Sequence, residues 1–198
     1  MSSRMSHRVT ASAIALGVAL MLPAATLAAD KIGTAGPDHL IGTADADRLW
    51  GLAGEDTLEG MAGADLLDGG ADADLIYGGD GNDIILGGGG SYRIRGGAGR
   101  DVIKGGGNGD WLSGGDGQDA IYGGIGPDTI QGGNAGDAIW GGTGRDVVYG
   151  GYGNDIIHVG GDKMADAVHC GPGWDVAYLG RYDIADASCE RVVRSRES

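Results

Sequence analysis

The sequence predicts an all-β solenoid of about seven stacked coils, each with two short strands, that ends in a disulfide-pinned C-terminal cap. Three observations predict this fold. Glycine makes up 44 of the 198 residues, a nine-residue pattern recurs from residue 33 to residue 158, and the two cysteines both lie beyond that pattern.

The glycine content excludes helical and collagen-like folds. Each glycine inside a helix would cost about 1 kcal/mol relative to alanine, and glycine does not recur at every third residue as collagen requires. Phenylalanine is absent and only four residues are proline, so neither an aromatic-rich core nor a polyproline stalk is expected.

The repeat keeps its register over fourteen units without an insertion. Counted in steps of nine from Gly33 to Gly150, the first position is always glycine; the sixth is aspartate in thirteen units and the eighth is Leu, Ile or Val in all fourteen. The first six residues are rich in turn formers, and the last three form a short strand whose eighth side chain points inward. Two units then make one coil, and units two apart stack as parallel strands.

The sixth-position aspartates are predicted to line up in two files. Residues eighteen apart, such as Asp119 and Asp137, would lie one strand spacing apart, about 4.8 Å. Such files repel one another unless a cation neutralises them. Glycine at the first, second and fourth positions permits positive φ and inward carbonyls. Carboxylate and carbonyl oxygens suit Ca²⁺, with its six to eight ligands, better than zinc. The alternative, that each aspartate only caps its own turn, does not explain thirteen aligned residues.

The units GGDGQDAIY, GGIGPDTIQ, GGDGNDIIL and GGYGNDIIH resemble the glycine-rich calcium-binding nonapeptide of RTX, or haemolysin-type, proteins. The resemblance implies a right-handed parallel β-roll with multiple Ca²⁺ ions held between successive turns on each side. The carboxylate ligands that it implies are Asp38, Asp47, Asp56, Asp65, Asp74, Asp83, Asp101, Asp110, Asp119, Asp128, Asp137, Asp146 and Asp155. The carbonyls that complete the shell are expected from the glycine region, with the clearest candidates at Gly79, Gly81, Gly97, Gly99, Gly115, Gly117, Gly124, Gly126, Gly142 and Gly144.

Unit seven departs from the pattern. Gly87–Arg95 reads GGGGSYRIR and places Tyr92 where aspartate belongs. The two sites that share this turn, toward Asp74 and toward Asp110, are expected to be weak or empty. About ten sites then remain of about twelve in the gaps between coils.

Several other units lack a turn glycine. The residues in place of the second glycine, which make the first four sites less certain, are Thr34, Thr43, Leu52 and Met61. Ala135 replaces a fourth-position glycine, and because alanine tolerates positive φ poorly, it puts the site at Asp137 in doubt.

Residues 1–28 are interpreted as a signal peptide. A basic start precedes an apolar run from Val9 to Leu22, which is short for a membrane span and is followed by small residues. Cleavage is expected after Ala28 or, alternatively, after Ala29. The mature chain is then expected outside the cytoplasm, extracellular or periplasmic, with no transmembrane anchor; a retained anchor is the alternative.

The register slips by two residues after His158 and then resumes, so that Asp166 and Asp175 take the sixth position in two degenerate units. Residues 29–158 are expected to form the roll, and residues 159–198 a cap that protects its edge. In an exported chain Cys170 and Cys189 are expected to pair, with a metal or redox role as the alternative.

The charge and the motifs limit the function. A formal net charge of −14 argues against nucleic acid and favours cations as partners. No catalytic motif is present, so no enzyme activity, catalytic residue or organic cofactor is expected.

The predicted function is an exported calcium-binding protein whose folding depends on extracellular calcium. The alternatives are an adhesion or interaction module that uses the outer face of the roll, and a relative of a secreted RTX enzyme or toxin without its catalytic domain. The outward aromatic residues available to a protein or glycan partner, which the sequence does not identify, are Trp50, Trp111, Trp140, Tyr77, Tyr122 and Tyr149.

Overall fold

The nine-residue period becomes an alternation of strands between two parallel sheets. The structure, a computed structural model, describes residues 28–195. One sheet has ten strands: β1 (Asp30–Ile32), β3 (Arg48–Ala53), β5 (Leu66–Ala71), β7 (Ile84–Gly88), β9 (Val102–Gly107), β11 (Ala120–Ile125), β13 (Ala138–Thr143), β15 (Ile156–His158), β17 (Val176–Leu179) and β19 (Arg191–Arg194). The other has nine: β2 (His39–Thr43), β4 (Thr57–Ala62), β6 (Leu75–Asp80), β8 (Arg93–Ala98), β10 (Trp111–Asp116), β12 (Thr129–Asn134), β14 (Val147–Tyr152), β16 (Ala167–His169) and β18 (Ile184–Ala185).

Each strand pairs with the strand two units away, which confirms the predicted coil of two units. Trp111 of β10 lies beside Thr129 of β12, and Ala120 of β11 lies beside Ala138 of β13. All the pairings are parallel, and β15 continues the sheet beyond β13 in the same register. The fold is therefore the predicted all-β parallel solenoid.

The core consists of the eighth-position side chains of the two sheets. From Leu49 to Ile157 every one of these side chains is fully buried. Each contributes about 1.5–3 kcal/mol when it is buried, but a unit supplies only one of them. Because the core is so thin, the stability of the roll depends strongly on what happens in its turns.

Most strands are longer than the predicted three residues. They run for six residues, from the seventh position through the third position of the next unit, so that only three residues remain for the turn. The first-position glycine makes this possible because its Cα faces the interior. A Cβ on Gly114 would lie 2.2 Å from Asp119 Oδ2 and 2.6 Å from the carbonyl oxygen of Gly132.

The solenoid has about nine turns rather than the predicted seven. The difference arises at the two ends, where β1 precedes the first complete coil and β16–β19 extend both sheets into the cap. The loop after β15 absorbs the two-residue slip, because β17 regains the register with Ile156 beside Val176. Strands β16–β19 thus continue both sheets although their units depart from the repeat pattern.

The cap carries the predicted disulfide. Cys170 and Cys189 are bonded, with their Cα atoms 5.1 Å apart, and Cys170 is fully buried at the end of the core. The bond closes a loop with a sequence separation of 19 residues, for which loop-closure entropy gives a stabilisation of about 3 kcal/mol. It attaches the last strand, β19, to the stacked coils.

The signal peptide prediction concerns residues 1–28, which lie outside the described residues except for Ala28. Within residues 28–195, no helix has the length and apolar character that a membrane crossing requires.

Two of the outward aromatic residues, Tyr122 and Trp140, belong to an ordered row of stacked rings. On the ten-stranded sheet, Tyr122 stacks on Trp140, Trp140 on His158 and His158 on Tyr178, with ring centroids 4.5, 5.6 and 4.3 Å apart. All four occupy the ninth position of successive coils. Since the rings stack on one another, they present mainly their edges to solvent.

Candidate metal centres

The sixth-position residues form two files along the roll, as predicted. The first file precedes the strands of the ten-stranded sheet and contains Asp47, Asp65, Asp83, Asp101, Asp119, Asp137, Asp155 and Asp175. The second file precedes the strands of the nine-stranded sheet and contains Asp38, Asp56, Asp74, Tyr92, Asp110, Asp128, Asp146, Asp166 and Asp183. Apart from Asp38, which is half-buried, the members of both files are buried.

Apart from Asp38, one oxygen of each carboxylate accepts a hydrogen bond from the backbone of the preceding coil. The N–H of Asp101 donates to Oδ1 of Asp119 at 2.9 Å, and the N–H of Asp119 donates to Oδ1 of Asp137 at 2.8 Å. The same bond recurs in the second file, for example from Asp110 to Asp128 at 2.8 Å. These bonds fix the carboxylate plane, so the position of the second oxygen follows from the backbone.

That second oxygen, Oδ2, is buried and has no hydrogen-bond partner at thirteen of the described aspartates. They are Asp56, Asp65, Asp74, Asp83, Asp101, Asp110, Asp119, Asp128, Asp137, Asp146, Asp155, Asp166 and Asp175. An unpaired buried carboxylate oxygen is costly, and thirteen of them in two files are a systematic feature of the fold. This observation shows that the residues fit a bound cation.

Backbone carbonyls of the second and fourth positions lie between consecutive coils. A Cβ on Gly97 would come within 1.9 Å of the carbonyl oxygen of Gly79, and one on Gly99 within 1.8 Å of that of Gly81. Both positions have positive φ, 127° at Gly97 and 134° at Gly99. The ten candidate glycines all share this left-handed conformation. Any side chain at these positions would fill the space into which the carbonyls point.

Most of the carboxyls of the two files have raised pKa values. Burial raises the pKa of these carboxyls, to about 6 at Asp83 and Asp101, about 7 at Asp128 and about 8 at Asp137. The N–H bond to Oδ1 lowers each pKa, while the neighbouring carboxylates of the same file raise it further. A cation between the turns would reverse this shift.

The donor set matches calcium rather than zinc. Residues 28–195 contain no group of three or more His, Cys, Asp or Glu side chains that could hold a metal ion. A shell in these gaps must therefore combine carboxylate oxygen with backbone carbonyl oxygen, which is typical of Ca²⁺ sites. A zinc site would need imidazole or thiolate ligands, and the two cysteines are bonded to each other.

The first two units differ from the others because threonine satisfies their carboxylates. The N–H and the hydroxyl of Thr34 donate to Asp38 Oδ2 at 2.5 and 2.9 Å. The hydroxyl of Thr43 donates to both oxygens of Asp47 at 3.1 Å. Asp38 Oδ2 and both oxygens of Asp47 therefore have hydrogen-bond partners, although both residues occupy the predicted place in the files.

Five of the residues that replace a turn glycine keep the left-handed conformation of that glycine. Leu52, Met61, Asp72, Asn108 and Ala135 all keep positive φ, between 67° and 80°. At Ala135 the carbonyl still reaches the next coil, since a Cβ on Gly153 would lie 2.3 Å from its oxygen. The turn before Asp137 thus has the same shape as its neighbours, at the cost of a strained alanine.

Two aspartates of the cap share the geometry but were not among the predicted ligands. Asp166 and Asp175 are buried, and the N–H groups of Asp146 and Asp155 donate to their Oδ1 atoms, both at 2.8 Å. The signal that identifies them is their sixth position in the shifted register. The predicted ligand set ends at Asp155 because this residue belongs to the last uninterrupted unit.

The surroundings of these two aspartates differ. The carbonyls of the second and fourth positions that face the next coil are here called the carbonyl cradle. Beside Asp175 this cradle continues, because a Cβ on Gly171 would lie 2.1 Å from the Gly151 oxygen and one on Gly173 1.6 Å from the Gly153 oxygen. Beside Asp166 the cradle is interrupted, since neither a Cβ on Gly160 nor one on Gly161 would meet a carbonyl oxygen of the preceding coil. The two-residue insertion thus interrupts the carbonyl cradle in the second file only.

Comparison with known families agrees with this geometry. A family model described as the RTX calcium-binding nonapeptide repeat matches four segments of the chain, residues 32–67, 59–94, 95–130 and 131–163. The matched segments cover more than half of the chain and end before Asp166 and Asp175. No curated protein matches the chain.

Proposed function

Because the chain belongs to the family of RTX calcium-binding nonapeptide repeat proteins, we propose that it is an exported protein whose roll folds around multiple Ca²⁺ ions held between successive turns. The observation that carries this proposal is the row of buried, unpartnered Oδ2 atoms beside inward-facing carbonyls. Calcium supplies the positive charge that neutralises the two files.

The proposed ligands are the sixth-position carboxylates together with the carbonyls of the second and fourth positions. The sites are expected to be strongest from Asp56 to Asp155, where Oδ2 is free to bind an ion. Asp38 and Asp47 are expected to bind more weakly, since threonine already donates to their oxygens. Asp175 extends the first file by one site beyond the family match.

Folding and calcium binding are coupled in this proposal. The eighth-position core alone is thin, and the carboxylates that it brings together repel one another and lose their hydration. In the unfolded chain the same carboxylates are solvated and far apart. Ion binding to the folded state alone therefore shifts the equilibrium toward the roll.

Export is proposed on two grounds. The first 28 residues have the pattern of a signal peptide, and the Cys170–Cys189 disulfide is typical of an oxidising compartment. Extracellular calcium would be sufficient, since extracellular modules bind Ca²⁺ with dissociation constants of about 10⁻⁴–10⁻³ M. In a low-calcium cytoplasm the chain would remain unfolded and competent for export.

An interaction module is the second candidate, favoured by the stacked row of Tyr122, Trp140, His158 and Tyr178. A flat row of ring edges at the spacing of the coils would suit a partner with a matching repeat. No enzyme activity is proposed, because the family is described by calcium binding alone.

A matched pair of substitutions in one unit tests the ligand role. Asp83→Ala removes a buried carboxylate that accepts from the N–H of Asp65 at 2.9 Å. In the calcium-bound roll, where the ion offsets the charge of the carboxylate, this loss is expected to cost about 1.5–3 kcal/mol. Asp80→Ala removes the same charge from an exposed third position and is expected to change stability by about 0.5 kcal/mol or less. Calcium titration followed by circular dichroism should show a raised midpoint for Asp83→Ala only. Equal midpoints for the two variants would refute the ligand role of the sixth position.

The cap allows a second comparison. Asp175→Asn should make the segment 171–179 exchange faster in calcium, because it weakens the site formed with the carbonyls of Gly151 and Gly153. Asp166→Asn should have no such effect on its own turn, where the cradle is broken. Hydrogen–deuterium exchange at saturating and limiting calcium measures both. If the segment around Asp166 responds as strongly as the segment around Asp175, the proposed asymmetry is wrong.

A further inference from the structure

Tyr92 is the one interruption in the second file between Asp38 and Asp183, and it is buried, with 3% of its surface exposed. Its ring occupies the space that the carboxylate fills elsewhere. A Cβ on Gly87 would lie 2.7 Å from Tyr92 Cδ2, just as a Cβ on Gly105 would lie 2.4 Å from Asp110 Oδ2. The tyrosine therefore points into the roll, between coils, and not toward solvent.

The hydroxyl of Tyr92 reaches across the gap to the preceding turn of the same file. It donates to the carbonyl oxygen of Gly70 at 2.9 Å and accepts from the N–H of Gly90 at 2.5 Å. Gly70 occupies the second position of its unit and has a φ of 102°. Its carbonyl therefore belongs to the set that faces the gaps and is proposed to bind calcium in other units.

The hydrogen-bond inventory of unit seven also differs from that of its neighbours. The repeat units from Asp56 to Asp155 that carry an aspartate all leave Oδ2 without a partner, whereas the Tyr92 hydroxyl is satisfied as donor and as acceptor. The phenol is neutral, so it relieves the Asp74 carboxylate of one like-charged neighbour. The neutral Tyr92 hydroxyl satisfies the Gly70 carbonyl oxygen by a hydrogen bond, where a cation would satisfy it by coordination.

We propose that the Tyr92 phenol takes the place of one calcium ion, so that a hydrogen bond instead of a metal ion connects the turns of Asp74 and Tyr92. This inference rests on the proposed function. It separates the two sites that share the turn, since the hydroxyl points to the Asp74 side only. On the Asp110 side the Tyr92 N–H donates to Asp110 Oδ1 at 2.9 Å, and the Gly88 carbonyl still faces the next coil.

The charges around the gap between these two turns also reduce its need for calcium. Unit seven has two arginines and no acidic residue, and the guanidinium of Arg93 lies 5.3 Å from the centre of the Trp111 ring in the next coil of the same sheet. This stacking joins β8 to β10 by a contact that involves no carboxylate. The middle of the roll is thus its least calcium-dependent part, and it is where folding would begin as calcium rises.

The test compares Tyr92→Phe and Tyr92→Asp with the wild type, and uses Tyr152→Phe, at a tyrosine that is 65% exposed, as the control. Hydrogen–deuterium exchange is followed at decreasing calcium, and bound Ca²⁺ per chain is measured by equilibrium dialysis. In the wild type, the segment 87–95 should be the last to lose protection. Tyr92→Phe should reduce that protection about fivefold, as expected for one hydrogen bond, with no change in bound calcium. Tyr152→Phe should change neither.

Tyr92→Asp should bind one further Ca²⁺ per chain and should make the segment 87–95 as calcium-dependent as its neighbours. If the wild type binds calcium but Tyr92→Asp gains none, this inference fails and the proposed function stands. If the wild type binds no calcium, both fail. Should Tyr92→Phe not fold, the calcium count of Tyr92→Asp still decides.

Discussion

In chelator at neutral pH, the chain without residues 1–28 should lose nearly all of its parallel sheet, and millimolar Ca²⁺ should restore it in a cooperative transition. The reason is that one aliphatic side chain per unit must offset the burial of one carboxylate per unit, and an unpaired buried charge costs more than a single aliphatic side chain contributes. Far-ultraviolet circular dichroism during a calcium titration measures the transition.

Magnesium is the natural control for this experiment. Mg²⁺ carries the same charge but demands near-octahedral geometry and retains water, so it fits poorly between turns that offer fixed carbonyls. We expect equimolar Mg²⁺ to restore little sheet. Identical folded spectra in chelator and in calcium would contradict the coupling of folding to binding, and equal spectra in calcium and magnesium would contradict its specificity.

Acidification should partly replace calcium. The pKa of the buried carboxyls is raised from 3.8 in the unfolded chain to about 6 at Asp83, about 7 at Asp128 and about 8 at Asp137. Between these values the folded state binds more protons than the unfolded state, so the free energy of unfolding increases as pH falls. In chelator, sheet content should therefore rise from pH 8 to pH 5, with the gain complete near pH 4.

In saturating calcium the pH dependence should have the opposite sign, because protons then compete with the ion for the same oxygens. Circular dichroism at pH 8, 6.5 and 5, with and without calcium, measures both curves. A metal-free chain that is equally unfolded at pH 8 and at pH 5 would show that the carboxylates are not what opposes folding.

Much of the fold follows from the sequence because every unit repeats the same placement of aliphatic, acidic and glycine residues. The aliphatic eighth position, the aspartate at the sixth and the eighteen-residue distance between stacked units predict the two sheets, the core and both files. The predicted number of coils is too low because β16–β19 keep the strand pattern beyond the uninterrupted repeat. The predicted ligands exclude Asp166 and Asp175 because these two residues lie beyond the uninterrupted repeat, although both keep the sixth position.

The exceptions depend on how far one side chain reaches, which periodicity does not encode. The sequence shows that Tyr92 replaces an aspartate, but only the structure shows that its hydroxyl meets the Gly70 carbonyl. The threonine bonds to Asp38 and Asp47 are of the same kind. The aromatic row, in contrast, was open to prediction, since Tyr122, Trp140 and His158 are spaced by eighteen residues, the distance between stacked units.

The eighteen-residue coil also makes the length of the molecule a discrete quantity. Removing eighteen consecutive residues from within the repeats deletes one complete coil and returns every later strand to its own sheet. Removing nine transfers every later strand to the opposite sheet, where the stacked row that starts at Tyr122 would change sides and the two files would exchange members across the junction. A gene that encodes this protein can therefore grow or shrink in whole coils with little effect on the surface pattern, whereas a change by half a coil rearranges it.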